Sequence, residues 1–363
     1  MAFRSVCFPQ FLRSLVGPGC SKAGACRYFA PRAASASKQA CDPPSYRDDE
    51  NADVDWENLG FSAVQTDFMY IMKCSKDENF VQRQLSRYRN IEFNPSAGVL
   101  NYGQGIFEGL KANRKEDGSL LLFRPDQNAI RMKIGAERMC MPSPSIDQFI
   151  EAVKQTALAN KRWVPPPRKG SLYIRPLLIG SGPVLGIAPA PEYMFLTYAS
   201  PVGNYFKVVK ALIRARSQGF SDVLYLDSVN KKYLEELSAS NIFIIKGNVI
   251  ATPPTSGTIL PGITRKSIID IAYDLGYQRK KLLEFDDQVE ERAISVDELI
   301  DADEVFCTGT AVGVGSVGSV TYRGRRIQFK VGECSVCQEL GSTLVGIQTG
   351  QIEDKKYWII KIP

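Results

Sequence analysis

Short runs of β-type residues alternate with capped amphipathic helices from about residue 53 onward, and this alternation limits the chain to a mixed fold. Phe68–Lys73 has the composition of a strand, and residues 112–123 predict a hairpin that turns at Glu116-Asp-Gly118. Pro125 begins a helix, and Ser145-Ile-Asp-Gln148 is a capping box before a second helix. Helices and strands in such alternation pack in layers around shared cores, so we expect an α/β (α+β) protein.

The later part of the chain continues the alternation and contains a predicted link between two domains. We expect strands over 172–179 and 193–198, the link Pro201-Val-Gly-Asn-Tyr-Phe206, a helix over 208–216, a strand over 223–226 and a hairpin turning at Lys246-Gly-Asn248. With 363 residues, of which 44% are hydrophobic, the chain is long enough for two packed domains. We divide it into a leader (1–52), a small N-terminal α/β domain (53–200), a link (201–207) and a large C-terminal domain (208–363).

The first part of the leader is basic and contains no acidic residue. Residues 1–41 carry six basic side chains: Arg4, Arg13, Lys22, Arg27, Arg32 and Lys38. An acid-free start with Arg and Ser is typical of an organelle targeting segment, and residues 27–32 are the expected neighbourhood of cleavage. We expect import into the mitochondrion, with a plastid or a merely disordered tail as the alternatives.

The rest of the chain is electrically balanced. Once those six are set aside from the 45 basic residues, 39 remain against 39 acidic residues. No run of Lys and Arg interleaved with aromatic residues suggests a nucleic-acid surface, so we expect no nucleic-acid partner. No apolar run reaches the length of a membrane span, so we expect no membrane insertion.

The chain contains no histidine, which excludes several classes of site. Ser-His and Cys-His nucleophile pairs, His general bases and His-ligated zinc are all ruled out, so the chemistry must use Lys, Tyr, acids, Arg or a cofactor. Cys334-Ser-Val-Cys337 has redox or metal spacing, but one pair without histidine cannot supply four zinc ligands. We interpret it as two reduced thiols near a turn and expect no metal site.

Two turns in the second half are candidates for binding a phosphate group. Leu260-Pro-Gly-Ile-Thr264 precedes an amphipathic helix that ends near Gly276, so we expect Thr264 to be the N-cap and the free amides there to attract an anion. Thr308-Gly-Thr-Ala311 follows a helix capped by Ser295 and a short strand at 305–307, and its hydroxyls and amides could close the other side. Taken alone, an ordinary helix cap and an ordinary turn are the alternatives.

A series of motifs from residue 53 to residue 350 resembles the branched-chain amino acid aminotransferases, which are fold-type IV enzymes that use pyridoxal phosphate (PLP). The motifs occur in the family's order: Asn101-Tyr-Gly-Gln-Gly-Ile-Phe-Glu-Gly-Leu-Lys111, Leu122-Phe-Arg-Pro125, Ser171-Leu-Tyr-Ile-Arg-Pro176, Tyr225-Leu-Asp227, Ile259-Leu-Pro-Gly-Ile-Thr-Arg-Lys-Ser267 and Phe306-Cys-Thr-Gly-Thr-Ala311. The organellar plant members are the most similar, while D-amino acid aminotransferases and aminodeoxychorismate lyases share parts of the pattern. The resemblance implies a two-domain PLP fold of the D-amino acid aminotransferase-like type, with the cofactor site in the C-terminal domain.

The resemblance also implies which residues bind the cofactor. Glu236 corresponds to the carboxylate that meets the pyridine nitrogen and keeps the ring an electron sink; outside this context it would be interpreted as a solvated helix-end acid. Arg131 corresponds to the arginine that pairs with the phosphate, whose oxygens suit a planar guanidinium. Ile263, Thr264 and Thr310 correspond to the other phosphate contacts.

Substrate contacts are implied in the same way. Tyr102, Phe107, Tyr173 and Arg175 correspond to a pocket with aromatic walls for an aliphatic side chain and polar groups for the carboxylate, to which Ala311 contributes backbone. In the family, the residue matching Tyr102 belongs to the site of the partner subunit. The resemblance therefore implies a homodimer.

The chain departs from the family where the family carries its catalytic lysine. There, the link leads into a strand, a glycine-rich turn and a Gly-Gly-Val-Lys motif whose lysine forms the Schiff base. Here Lys207 is followed at once by the predicted helix, so no catalytic residue is matched. Lys210 falls on a non-catalytic lysine of that helix and is the fallback, with a solvated helix lysine as its other interpretation. Residues 279–287 are an insertion, and one omission with one insertion is typical of altered splicing or a misdrawn gene model.

The function implied by the resemblance is transamination of leucine, isoleucine or valine with 2-oxoglutarate as the amino acceptor. In that mechanism the substrate amine displaces the lysine, and the freed lysine moves a proton from Cα to C4′. A positioned base is worth about 10²–10⁴ in rate, so loss of the lysine segment predicts slow turnover. The alternative is a catalytically silent PLP-binding or dimer-partner protein.

Overall fold

The computed structural model describes residues 51–57, 59, 63–203, 219–255, 258–279, 288–332 and 335–362. The leader up to residue 50, the predicted helix over 208–216 with Lys210, and residues 280–287 of the insertion lie outside these ranges. The helices are α1 (Gly98–Tyr102), α2 (Pro125–Arg138), α3 (Ile146–Ala159), α4 (Ile263–Asp274), α5 (Val296–Ile300) and α6 (Val336–Gln348), with a 3₁₀ turn at Lys161–Trp163.

The first sheet is antiparallel and is completed by the C-terminal strand. Its strands are β1 (Phe68–Ser75), β2 (Gln82–Arg87), β3 (Gly105–Phe107), β4 (Leu110–Arg114), β5 (Leu120–Phe123), β6 (Ser171–Gly180), β7 (Glu192–Val202) and β18 (Ile359–Ile362). They follow the order β18-β5-β4-β6-β7-β1-β2, and β3 pairs with β6. The strand predicted from Phe68 and the hairpin over 112–123 are confirmed.

The long central strands β6 and β7 extend beyond their predicted bounds. β7 continues through Val202, which lies opposite Ser171, while Pro201 lies opposite Leu172. The first two residues of the predicted link therefore belong to this sheet, whereas residues 204–207 lie outside the described ranges. The division into domains stays a prediction.

Helices α2 and α3 cover one face of the first sheet. Pro125 is the first residue of α2, and Ser145 caps α3 by accepting from the Gln148 amide while the Gln148 side chain accepts from the Ser145 amide, so both predicted helix starts are confirmed. Phe149 of α3 packs on Phe195 of β7 with ring centroids 5.7 Å apart. The capping box thus fixes a helix whose apolar face is buried in the core of this sheet.

The second sheet is mixed and supports two helices. Its strands are β8 (Leu224–Leu226), β9 (Leu234–Leu237), β10 (Asn241–Lys246), β11 (Val249–Thr252), β12 (Gln278–Arg279), β13 (Gln288–Glu291), β14 (Glu304–Gly309) and β15 (Gly313–Ser316). The order is β12-β13-β11-β10-β14-β15; β9 pairs with β10, and β8 pairs with β9. A separate hairpin joins β16 (Ser319–Tyr322) to β17 (Arg325–Gln328). The predicted turn between β10 and β11 and the predicted strand within β14 are confirmed.

The core of the second sheet is built on stacked aromatic rings. Phe243 of β10 and Phe306 of β14 lie 4.8 Å apart and are nearly parallel. Residues of α4 and α6 pack around them, together with Phe123 of β5 and Trp358, which directly precedes β18. One apolar cluster therefore joins the two sheets.

Arg124 strengthens this junction at the start of α2. Its backbone is left-handed, with φ of 47°, and its buried guanidinium donates to Ser267 Oγ at 2.8 Å and to Asp270 Oδ2 at 3.3 Å, both on α4. The same guanidinium stacks 4.5 Å from the ring centroid of Trp358. The position of α4 relative to the first sheet is thus fixed by a charged side chain as well as by apolar packing.

The fold class predicted from the sequence is confirmed as mixed α/β with two main sheets. Among the described residues, no helix is both long enough and apolar enough to cross a membrane.

Replacing Ser145 with alanine should lower the free energy of unfolding by about 1 kcal/mol, because the α3 N-terminus loses its side-chain acceptor. Ser143→Ala, two residues earlier and outside the capping box, is the matched control and should change stability less. Urea denaturation followed by circular dichroism measures both. Equal effects of the two substitutions would show that the cap contributes nothing specific.

Candidate active site

The loop before α4 is the centre of the candidate site. Asn241, at the start of β10, donates from Nδ2 to Leu260 O at 2.9 Å, and Leu260 N donates to Glu236 Oε2 at 3.1 Å. A Cβ on Gly262 would lie 2.1 Å from Asn241 Oδ1, so only glycine fits there. The loop is therefore held against the β9–β10 turn by hydrogen bonds and by close packing.

The N-terminus of α4 differs from its prediction. Gly262, not Thr264, is the N-cap, and no side chain caps the helix, so the predicted N-cap is wrong. The helix starts two residues earlier than predicted, and Asn241 Oδ1 lies where a Cβ on the N-cap residue would be. Thr264 is the second helical residue and is buried, while Ile263 is partly buried. Because first-turn amides have no intrahelical acceptor, the uncapped end of this 12-residue helix can bind an anion.

Arg131 of α2 reaches the same loop. It donates from Nε to Glu108 Oε1 at 2.8 Å, from Nη2 to Glu108 Oε2 at 2.6 Å and from Nη1 to Pro261 O at 3.1 Å. Glu108 is only 4% exposed and also accepts from Asn128 Nδ2 at 2.8 Å. A guanidinium has five N–H donors, so these bonds leave two for a further acceptor beside the α4 N-terminus.

Glu236 lies on the strand β9 and is partly buried, unlike the solvated helix-end acid that was its alternative. Burial raises the pKa of its carboxyl, while the hydrogen bond from the Leu260 amide acts in the opposite direction. A carboxyl group in such surroundings can accept a hydrogen bond from a protonated ring nitrogen. Arg131, the start of α4 and Glu236 therefore surround one loop.

The turn between β14 and β15 carries Thr310 and Ala311. Gly309 and Gly313 pair across the hairpin, and a Cβ on Gly309 would lie 3.1 Å from Ala239 O and 3.2 Å from Ser240 Oγ. This turn thus packs directly on the turn that follows Glu236. Within the described residues, the buried Thr308 Oγ1 has no hydrogen-bond partner.

Three of the predicted substrate-binding residues form one cluster on β3 and β6 of the first sheet. Arg175 stacks 4.4 Å from the ring centroid of Phe107 and 5.2 Å from that of Tyr173, and its Nη2 donates to Tyr173 Oη at 3.0 Å. Burial raises the pKa of Tyr173, and nearby Arg175 partly offsets this. Phe107 is 62% exposed, while Arg175 Nε is buried with no partner among the described residues. The cluster offers an aromatic face and a cation.

Tyr102 makes its side-chain hydrogen bond outside this cluster. It is the last residue of α1, it is exposed, and its hydroxyl donates to Leu185 O in the loop between β6 and β7. This hydrogen bond joins Tyr102 to the loop between β6 and β7, and not to Phe107, Tyr173 or Arg175.

Lys111 is a residue of the site that sequence reasoning did not single out. It lies on β4 directly opposite Tyr173 of β6, and its Nζ donates to Ala311 O at 2.9 Å. Burial lowers the pKa of Lys111 to about 8. The sequence does contain a signal for Lys111. Its neighbours Leu110 and Ala112 are core residues of the strand, and successive side chains of a strand point to opposite faces, so the lysine lies on the face opposite that core.

Comparison with known proteins agrees with the motifs. Residues 105–320 match the family model described as amino-transferase class IV. The Arabidopsis thaliana protein named branched-chain-amino-acid aminotransferase 2, chloroplastic, is 59% identical over 91% of this chain and 92% of its own length. Branched-chain-amino-acid aminotransferase 1, mitochondrial, from the same plant is 54% identical over 100% of both chains.

A solved structure of a branched-chain amino acid aminotransferase has a similar fold. The branched-chain amino acid aminotransferase of Escherichia coli is 26% identical and superposes with a TM-score of 0.65. The match covers 81% of this chain and 99% of the other.

The partly buried position of Lys111 predicts a specific dependence of stability on pH. Its folded pKa of about 8 lies below the ordinary value of 10.5, so the unfolded state binds more protons between these values. The contribution of Lys111 to the free energy of unfolding should therefore rise from about pH 8 to about pH 10.5, and Lys111→Met should remove that rise.

Urea denaturation at a series of pH values measures the difference between wild type and Lys111→Met. Lys133→Met, which removes an exposed lysine of α2, is the control. A difference between wild type and Lys111→Met that stays constant with pH would contradict the prediction.

Proposed function

The chain belongs to the amino-transferase class IV family, and from this premise we propose that it transaminates branched-chain amino acids. Leucine, isoleucine or valine gives up its amino group to 2-oxoglutarate, which yields a 2-oxo acid and glutamate. The observation that carries this proposal is the convergence of Arg131, the uncapped start of α4 and Glu236 on one loop. It provides a phosphate seat and an acid within the same site.

Class IV aminotransferases use PLP, and the residues present here fit that group. We assign the phosphate to the two remaining donors of Arg131, the first-turn amides of α4 at Ile263 and Thr264, and Thr310 in the neighbouring turn. We assign to Glu236 the role of holding a proton on the ring nitrogen. When bound, PLP withdraws electrons from the amino-acid Cα, which makes its proton removable.

The cluster of Phe107, Tyr173 and Arg175 serves the substrate. The exposed ring of Phe107 can contact an aliphatic side chain and exclude water from it, while Arg175 can pair with a carboxylate. Ala311 lies beside Lys111 and adds backbone groups to the same pocket. The neutral aromatic wall suits leucine, isoleucine and valine better than a charged side chain.

The catalytically silent alternative finds no support in the comparisons. The similar plant proteins are named as aminotransferases over nearly the whole length of this chain. An organellar location agrees with their names and with the acid-free leader, and we propose the mitochondrion, with the plastid as the alternative.

We also propose that the protein is a homodimer, and that the loop between β6 and β7 contacts the partner subunit. Leu185 and Ile187 in this loop are 90% and 96% exposed, and Tyr102 is fixed beside them by its hydrogen bond to Leu185 O. Apolar side chains this exposed at one loop tip suit a subunit contact that covers them.

The function is tested by incubating the purified chain with PLP, leucine and 2-oxoglutarate and measuring glutamate. The expected result is glutamate formation that requires both PLP and a branched-chain substrate, with alanine in place of leucine as the control. No glutamate above that control, although PLP binds, would overturn the proposal in favour of the silent alternative.

Replacing Arg131 with alanine should weaken PLP binding by about 10- to 100-fold, because charge-assisted hydrogen bonds to the phosphate are worth about 1.5–3 kcal/mol. The change is measured by titrating the protein with PLP and following tryptophan fluorescence. Arg138→Ala, at the exposed end of the same helix, is the matched control and should bind like wild type. Equal affinities of the two variants would remove Arg131 from the phosphate seat.

Replacing Ile187 with aspartate should shift the protein from dimer toward monomer, because a charge would be desolvated at the subunit contact. Sedimentation velocity measures the shift. Val229→Asp, at an equally exposed turn elsewhere, is the control and should leave the assembly unchanged. A dimer that persists in Ile187→Asp at all concentrations would place the interface away from this loop.

A further inference from the structure

We propose that Lys111 is the amine of this chain that bonds covalently to an aldehyde in the candidate active site, the aldehyde being that of PLP. This inference rests on the proposed function. It assigns the covalent role to a residue of the described structure, in a chain where the sequence matched no lysine to that role and left only Lys210 as a fallback.

The backbone holds Lys111 in a rigid position. β4 is paired on both sides, with Lys111 opposite Tyr173 of β6 and the next residue, Ala112, opposite Leu122 of β5. A lysine on a central strand is positioned more precisely than one on a loop, so the side chain that reaches Ala311 O starts from a fixed base.

The amine of Lys111 lies between the turn that carries Ala311 and the strand that carries Tyr173. Lys111 Nζ donates to Ala311 O at 2.9 Å, and Ala311 belongs to the turn that packs through Gly309 on Ala239 and Ser240, three and four residues after Glu236. On its other side, Lys111 is next to Tyr173 of the aromatic cluster. A ring held by Glu236 and by the start of α4 would thus share its site with this amine.

The surroundings of Lys111 favour the neutral, nucleophilic form of the amine. Burial lowers its pKa to about 8, so about half of the molecules carry a neutral amine at that pH. An ordinary lysine, with a pKa of about 10.4, is neutral in fewer than about 1% of molecules at pH 8. Desolvation of this kind is one of the recognised ways to activate a lysine.

The covalent step is balanced without any further reagent. The nitrogen lone pair attacks the carbonyl carbon and a carbon–nitrogen bond forms. The carbonyl oxygen takes both amine protons and leaves as water, so a carbon–nitrogen double bond remains. No oxidant or reductant is consumed, and water can reverse the step.

Lys266 provides an internal comparison, because it lies in the first turns of α4 near the proposed phosphate seat. Its side chain is exposed and donates to Gln127 Oε1 at 3.1 Å. It is a nearby lysine on the surface of the site, whereas Lys111 Nζ is packed against the turn that carries Ala311.

The test is to incubate the full chain with PLP, trap the product with borohydride, digest it and locate the label by mass spectrometry. The expected label is on Lys111. Lys111→Arg should lose the label and the near-ultraviolet absorption band of the carbon–nitrogen double bond, while Lys266→Arg and Lys210→Arg should keep both. The wild-type peptide map decides the question even if Lys111→Arg does not fold.

Noncovalent PLP binding, measured by tryptophan fluorescence without borohydride, tests the proposed function separately from the assignment of Lys111. Binding with the label on Lys210 or on another lysine would overturn the assignment of Lys111 and leave the proposed function standing. Binding with no label would overturn it too. Absence of any PLP binding would overturn the proposed function together with the inference.

Discussion

The paired hydrogen bonds between Arg131 and Glu108 are the contact on which the candidate site depends. Glu108 follows β3 in the first sheet, Arg131 lies on α2, and the third bond of Arg131 reaches Pro261 before α4. Removing one partner of such a buried pair typically costs about 3–5 kcal/mol, because the other charge stays without compensation. The pair therefore couples the first sheet to the loop that carries the phosphate seat, and leaves part of the guanidinium free for a ligand.

A second constraint leaves the start of α4 without a cap. Most helices satisfy first-turn amides with a Ser, Thr, Asp or Asn side chain, as Ser145 does for α3. At α4 the corresponding position is Gly262, and Asn241 fills the space beside it. The close contact between Gly262 and Asn241 excludes a capping side chain at position 262, and the first-turn N–H groups of α4 therefore stay open. Packing at the start of β10 is in this way linked to anion binding.

Local signals predicted the parts of the fold that are decided locally. The capping boxes at Ser145 and Ser295 and the turn at Gly247 and Asn248 need only a few neighbouring residues, and the structure has them where predicted. The N-cap at Thr264 was wrong: the N-cap is Gly262, and its close contact with Asn241, more than twenty residues away in sequence, cannot be read from a local pattern. Lys111 was missed for a similar reason, since the carbonyl that it binds lies 200 residues later in the chain. The proposed roles of Arg131 and Glu236 came from family motifs, and local patterns alone do not predict them.

The C-terminal strand β18 is the last strand of the first sheet to be synthesised. Its residues 359–362 pair with β5 at residues 120–123, and Trp358 packs in the cluster that joins the two sheets. During synthesis, β5 leaves the ribosome long before its neighbour exists, and N-terminal segments generally fold first. The edge of β5 must therefore stay unpaired until translation is nearly complete. For that interval the backbone groups along this edge of β5 can pair with any extended chain nearby.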